Sequence, residues 1–189
     1  MQNNTQQVNL NRHIPVNIKL WSGSFELHTH PELSIRIDAE GISNTALLPE
    51  ISFKENSVEI SGQSASALLV RSDAVLVKIY VPDESVVTLR QVTGNTVVSG
   101  SYKKLKVKNW LGNVHAHLDH LFVKEHADLK VISGDVYIDA DDQSIIKARS
   151  GYENYQFFRF YNNSTVKASA YIGEVKWKVN FNDRYFRFA

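Results

Sequence analysis

The sequence predicts an all-β chain wound as a single-domain β-solenoid, a right-handed parallel β-helix with coils of about 20 residues, on three observations. A glycine returns at near-constant intervals: Gly94, Gly112, Gly134, Gly151 and Gly173 are separated by 18, 22, 17 and 22 residues. Apolar and polar residues alternate on both sides of these glycines, the period-two pattern of strands with one buried face. No segment carries a capped helical period. Short repeats of this kind bury their apolar faces only by stacking on one another, and parallel crossovers take the right hand.

Taken in order, residues 1–12 (MQNNTQQVNLNR) are polar and read as a flexible lead-in to one domain over 13–189. From His13 the alternation begins: Ile14-Val16-Ile18-Leu20, Phe25-Leu27, Leu33-Ile35-Ile37, Val58-Ile60 and Val75-Val77-Ile79-Val81 are strand patterns. Ser22-Gly23, Glu40-Gly41, Ser61-Gly62 and Pro82-Asp83 supply the turns between them. The stretches 44–50 and 63–67 read as longer loops. Regular repeats are expected over about 86–180, where residues at odd offsets before each glycine are mostly apolar or small: Val87 and Leu89, Leu105 and Val107, Leu129 and Val131, Ile146 and Ala148, Val166 and Ala168. Each glycine is read as a corner where the chain takes a left-handed turn that a bulky residue resists. The coil around Gly151 departs, with Glu153 at an inward position and aromatic residues after it. Residues 181–189 are expected to cap the last coil.

Composition narrows the function classes. The 189 residues, 43% hydrophobic and 22% charged, suit a folded domain rather than a disordered chain. A net charge of +1 gives no global attraction to nucleic acid or acidic membranes, so any such partner needs a local patch. Without cysteine there are no disulfides and no thiolate metal sites. No apolar run has the length of a membrane span, and the first residues lack the apolar core of a signal peptide. As written the chain is expected in the cytoplasm, or outside it if a leader has been removed.

The segment Val77-Lys78-Ile79-Tyr80-Val81-Pro82, followed by coils of the form hydrophobic-x-hydrophobic, glycine, x-hydrophobic-x-hydrophobic, resembles the bacterial "putative adhesin" β-helix domain. The likeness runs from about Ile14 to Val179. It implies an adhesin-like β-solenoid of a family largely without known function, found exported or tethered to membranes, and it defines no catalytic residues.

Four constellations invite a chemical reading. His115-Ala-His117-Leu-Asp119-His120 spells a metallo-β-lactamase-type metal motif, but only His126 follows downstream and the chain continues as β, so that enzyme is set aside. Outward parity still places His115, His117 and Asp119 on one face beside Asp139 of the next coil, a candidate divalent-metal cluster. His28, His30 and Glu32 resemble the first cupin motif, with the glutamate too early and no later segment that supplies the remaining histidine in its proline and glycine context. Arg90, Lys108, Lys130 and Lys147 stand four residues before successive glycines, and in a second register the ladder is Lys106, Lys130, Lys147 and Lys167. Like charges at strand spacing cost stability, so either ladder suggests an anionic partner. Finally, 12 of the 20 aromatic residues lie in the last 39 positions. Tyr155, Phe158, Phe160, Trp177, Phe181, Tyr185, Phe186 and Phe188 are candidates for a cap or a self-association surface.

The expected function is a non-catalytic binding or scaffold module without a cofactor. Its expected partner is an anionic polysaccharide or another protein, with homo-oligomers through the C-terminal end. The alternatives are a polysaccharide-acting or metal-dependent enzyme using the His/Asp cluster, and a self-assembling structural protein.

Overall fold

The computed structural model describes residues 3–40, 49–62, 76–118, 123–141, 145–152, 155–160 and 164–180. These residues form two mixed sheets, one of eight strands and one of nine, packed face to face over one hydrophobic core. The all-β expectation holds; the solenoid does not.

The middle of the molecule is built from strand pairs, each with one strand in either sheet. Val16–Ser22 (β2) leads through Gly23 into Ser24–His30 (β3), and Ser85–Thr93 (β8) leads through Gly94 into Thr96–Val98 (β9). Tyr102–Leu111 (β10) leads into Val114–Leu118 (β11), Val123–Ser133 (β12) into Val136–Asp141 (β13), and Thr165–Ile172 (β16) into Val175–Asn180 (β17). In the nine-stranded sheet β2, β8, β10, β12 and β16 are parallel neighbours; in the eight-stranded sheet β3, β9, β11, β13 and β17 are.

Two features overturn the solenoid. The first is winding order. Ser57–Ser61 (β6) and Leu76–Pro82 (β7) also pair in parallel with β2 and β3, so the β2–β3 pair sits between β6–β7 and β8–β9, out of chain order. The second is strand direction. Asn3–Asn9 (β1), Ser34–Glu40 (β4) and β7 are antiparallel in succession, and Glu50–Lys54 (β5) is antiparallel to β6. Ile145–Tyr152 (β14) and Tyr155–Phe160 (β15) form an antiparallel hairpin that adds to β16. Gly151 therefore lies inside β14 instead of at a corner. Tyr152 pairs with Tyr155, leaving two residues between them, the loop length of the tightest hairpins, and the aromatic run of β15 favours a strand. Residues 3–9, read from their polarity as a lead-in, form a full edge strand because β4 offers a continuous ladder from Ser34 to Glu40.

The core repeats the alternation of the sequence. Val16, Ile18, Leu89, Val107 and Leu129 from one sheet meet Leu27, Ile79, Val98, Val114 and Val136 from the other, all fully buried. Tyr102 ties the sheets together: its phenol is wholly buried and its hydroxyl lies 3.1 Å from the Leu27 carbonyl oxygen and 2.9 Å from that of Ser99. Burial pushes this phenol well above its usual range, and Asp83 adds to the effect.

Candidate functional site

The glycine corners set the positions of everything exposed. Gly23, Gly94, Gly112, Gly134 and Gly173 all take positive φ, and the amides of the first four donate to a carbonyl oxygen of the next strand pair: Gly23 N to Thr93 O, Gly94 N to Leu111 O, Gly112 N to Ser133 O and Gly134 N to Ile172 O. The following residues form a side-chain ladder. Asn95 Oδ1 accepts from the Asn113 amide at 3.1 Å, Asn113 Oδ1 from Asp135 at 2.9 Å, and Asp135 Oδ1 from Glu174 at 2.9 Å. Asp135 also accepts from Lys176 Nζ at 2.7 Å and the Tyr137 hydroxyl at 3.0 Å. The Lys176 hydrogen bond and that from the Glu174 amide hold its carboxyl below the usual range.

Because the corners are in register, the outward side chains of the nine-stranded sheet fall into rows. Lys19 pairs with Arg90, Arg90 with Lys108 and Lys108 with Lys130, a line of four cations that ends at Ser169. Three of these were expected; Lys19 was not, because its glycine lies outside the regular repeat. Lys106 and Lys167 stand in a different row, on either side of Asp128, which separates their charges. Lys147 is in β14, opposite Arg159 of the antiparallel hairpin. Lys19 pairs with Glu59, whereas among the described residues Arg90 and Lys130 have no carboxylate within ion-pair reach.

One step nearer the corner runs a row that the sequence reading missed. Trp21, Val92, Trp110, Ile132 and Tyr171 each lie two residues before a corner glycine and are flanked by the paired rows on either side. The next row, Ser22, Thr93, Leu111, Ser133 and Ile172, adds two more aliphatic side chains. Lys108 Nζ lies 4.5 Å from the Trp110 ring centroid. Counting even offsets back from the glycines reveals this stripe in the sequence, once Gly23 replaces Gly151 in the count.

The eight-stranded sheet presents different chemistry. Arg36, Tyr80 and His28 are register partners on β4, β7 and β3. The Arg36 guanidinium lies 4.1 Å from the Tyr80 ring centroid, and His28 stacks on the same ring at 5.3 Å. His28 Nδ1 lies 2.7 Å from Ser99 Oγ and its Nε2 lies 3.1 Å from Glu26 Oε2. That connectivity is the one a nucleophile, base and orienting carboxylate use. Here it lies on a sheet face, and the neighbouring Ser101 amide is donated to Thr29 Oγ1 at 2.8 Å rather than aimed at a reacting group. Beside Tyr80, a cleft of about 570 Å³ is lined by Thr5, Gln7, Arg36, Asp38 and Lys78.

Of the metal candidates, His117 Nδ1 and Asp139 Oδ2 come within 3.4 Å across β11 and β13. His115 stacks on Tyr137 at 4.4 Å, and burial lowers its imidazole affinity for protons, with Asp139 opposing. Asp119 lies outside the described residues. Among the described residues no three His, Cys, Asp or Glu side chains converge on one point. Of the C-terminal aromatics, Tyr155, Phe158 and Phe160 lie in β15 and Trp177 in β17, with Tyr155 exposed. Phe181, Tyr185, Phe186 and Phe188 lie outside the described residues.

No family model matches this chain, and no curated protein is similar to it in sequence. Among solved structures, it is similar to a "putative cell adhesion protein" of Clostridium sporogenes ATCC 15579, with a TM-score of 0.62 at 13% identity over 95% of this chain and 99% of that one. A "putative adhesin" of Bacteroides fragilis NCTC 9343 aligns over 94% of both chains at 12% identity, with a TM-score of 0.34. At such identity what the chain shares with the Clostridium protein is its fold.

Proposed function

We propose that the chain is a non-catalytic, adhesin-like binding module that meets an anionic partner with the outer face of its nine-stranded sheet. The carrying observation is the row Lys19, Arg90, Lys108 and Lys130, four cations on adjacent strands of a rigid frame. Like charges directly opposite one another destabilise a sheet by a few tenths of a kcal/mol per pair, so the row works against the fold and toward a ligand. The Clostridium protein, which shares this architecture, is named a "putative cell adhesion protein", and that name supports such a role.

The test is retention on an immobilised anionic polysaccharide such as alginate. Retention should weaken as salt rises, because exposed charges are screened within a Debye length. The variant Arg90→Glu, Lys108→Glu, Lys130→Glu should bind about tenfold more weakly or worse. Wild type failing to bind any polyanion, soluble or surface-borne, at low salt would end this reading.

A further inference from the structure

Among the described residues eight large hydrophobic side chains are exposed, and six of them, Trp21, Val92, Trp110, Leu111, Tyr171 and Ile172, stand on the two rows beside the glycine corners. Their exposure runs from 39% at Val92 to 76% at Tyr171. Soluble surfaces scatter single apolar residues; a line of them, joined across β12 by the half-buried Ile132, marks a surface that meets something apolar. Five strands at sheet spacing make this ridge about 20 Å long.

Its composition distinguishes between partners. Indole and phenol rings can stack on sugars, but Val92, Leu111 and Ile172 offer a saccharide nothing in particular. Hydrocarbon welcomes all six, and Trp and Tyr are the residues that settle at the water–lipid boundary. The cation row lies two residues back from the ridge along the same strands, about 7 Å away. Interfacial elements bury their apolar side about 5–10 Å into the headgroup and acyl boundary. With the ridge at that depth, Lys19, Arg90, Lys108 and Lys130 lie level with lipid phosphates. Lys108 over the Trp110 ring shows the cation and the apolar rows already in contact.

We infer that the glycine-corner ridge is a membrane-docking edge, which seats the domain on an anionic bilayer surface without spanning it. This rests on the charged-face reading above and adds the kind of partner. The geometry also orients the domain, with the corners toward the lipid and the strands of the nine-stranded sheet rising away from it.

The experiment is flotation of the full chain with phosphatidylcholine vesicles, with and without phosphatidylglycerol, alongside soluble alginate. Wild type should float with the anionic vesicles, release as salt rises and show a blue-shifted tryptophan emission quenched by brominated lipid acyl chains. Leu111→Ser with Ile172→Ser should lower vesicle binding about tenfold or more while leaving alginate binding unchanged. Each cation reversed in the Lys19–Lys130 row should lower vesicle binding about fivefold or more. Binding to alginate but not to vesicles would overturn the membrane inference and leave the charged-face reading standing. Binding to neither would overturn both. Vesicle binding unaffected by the serine pair, with no acyl-chain quenching in wild type, would reduce the contact to charge alone and also overturn the inference.

Discussion

Gly112 has φ +123°, and a Cβ built on it would fall inside contact distance of the Gly94 carbonyl oxygen. The same relation links Gly94 to Gly23, Gly134 to Gly112 and Gly173 to Gly134, so the corners pack backbone on backbone with no room for a side chain. We expect Gly112→Ala to cost about 2 kcal/mol or more, from the strained turn and the displaced carbonyl together. Gly62→Ala meets nothing nearer than 3.5 Å and should change stability by less than about 1 kcal/mol. Urea denaturation of the two variants checks both, and equal losses would remove the close-approach argument. Asn109 belongs to this corner as well. It occupies a core position and donates Nδ2 to the Gly94 carbonyl oxygen at 2.7 Å, a role that parity assigns to an apolar residue. The recurrence of the glycines was legible in the sequence because it needs only a count. The substitution of Gly23 for Gly151 was not, because it depends on which strand lies beside which.

From one strand pair to the next, the ladder Asn95, Asn113, Asp135 shows how an element repeats a contact while changing its charge. Asp135 alone of the three is ionisable, and its folded-state proton affinity is depressed by Lys176 and by the Glu174 amide. A depressed carboxyl contributes stability above its unfolded value near 3.8 and loses it as pH falls through the lower folded value. The stability difference between wild type and Asp135→Asn should therefore favour wild type at neutral pH and vanish in acid. The amide keeps the Oδ1 acceptor for Glu174 and removes, together with the charge, the Oδ2 acceptor that takes Lys176 and the Tyr137 hydroxyl. Thermal melts of both proteins from pH 7 down to pH 2 measure this; a gap that persists at the acid end would assign the effect to packing. The β14–β15 hairpin is the element the sequence misplaced. Its departure from the repeat shows in the sequence as Glu153 and the aromatic run after it, but period two does not state the direction of the neighbour.

At the scale of the whole molecule, the insertion of β2–β3 between β6–β7 and β8–β9 makes the N-terminal segment central. In a progressive solenoid a terminal coil can be removed and the rest survives, since each repeat touches only its neighbours. Here we expect deletion of residues 1–30 to abolish cooperative folding, because it strips the partners of both β6 and β8. A truncated chain that kept a cooperative melt by circular dichroism would contradict this topology. The same frame separates two outer faces, cations and a ridge on one sheet, imidazoles, carboxylates and stacked Tyr80 on the other, in a chain whose net charge is only +1. Neutral composition thus conceals a polarised surface.

The sequence by itself determined most of the strands, the buried parity and most of the corner glycines, because alternation and left-handed turns are local constraints that each residue carries with it. It also identified three members of the cation row, since a fixed offset from a corner becomes a line wherever parallel strands stack. Only the tertiary structure decided the order and direction of the strands. It therefore decided that Lys19 completes the row, that Lys106 and Lys167 flank Asp128 instead, and that Trp21, Trp110 and Tyr171 form one edge. Those outcomes depend on pairing between residues far apart in the chain, and period two is the same whichever strand comes to lie alongside.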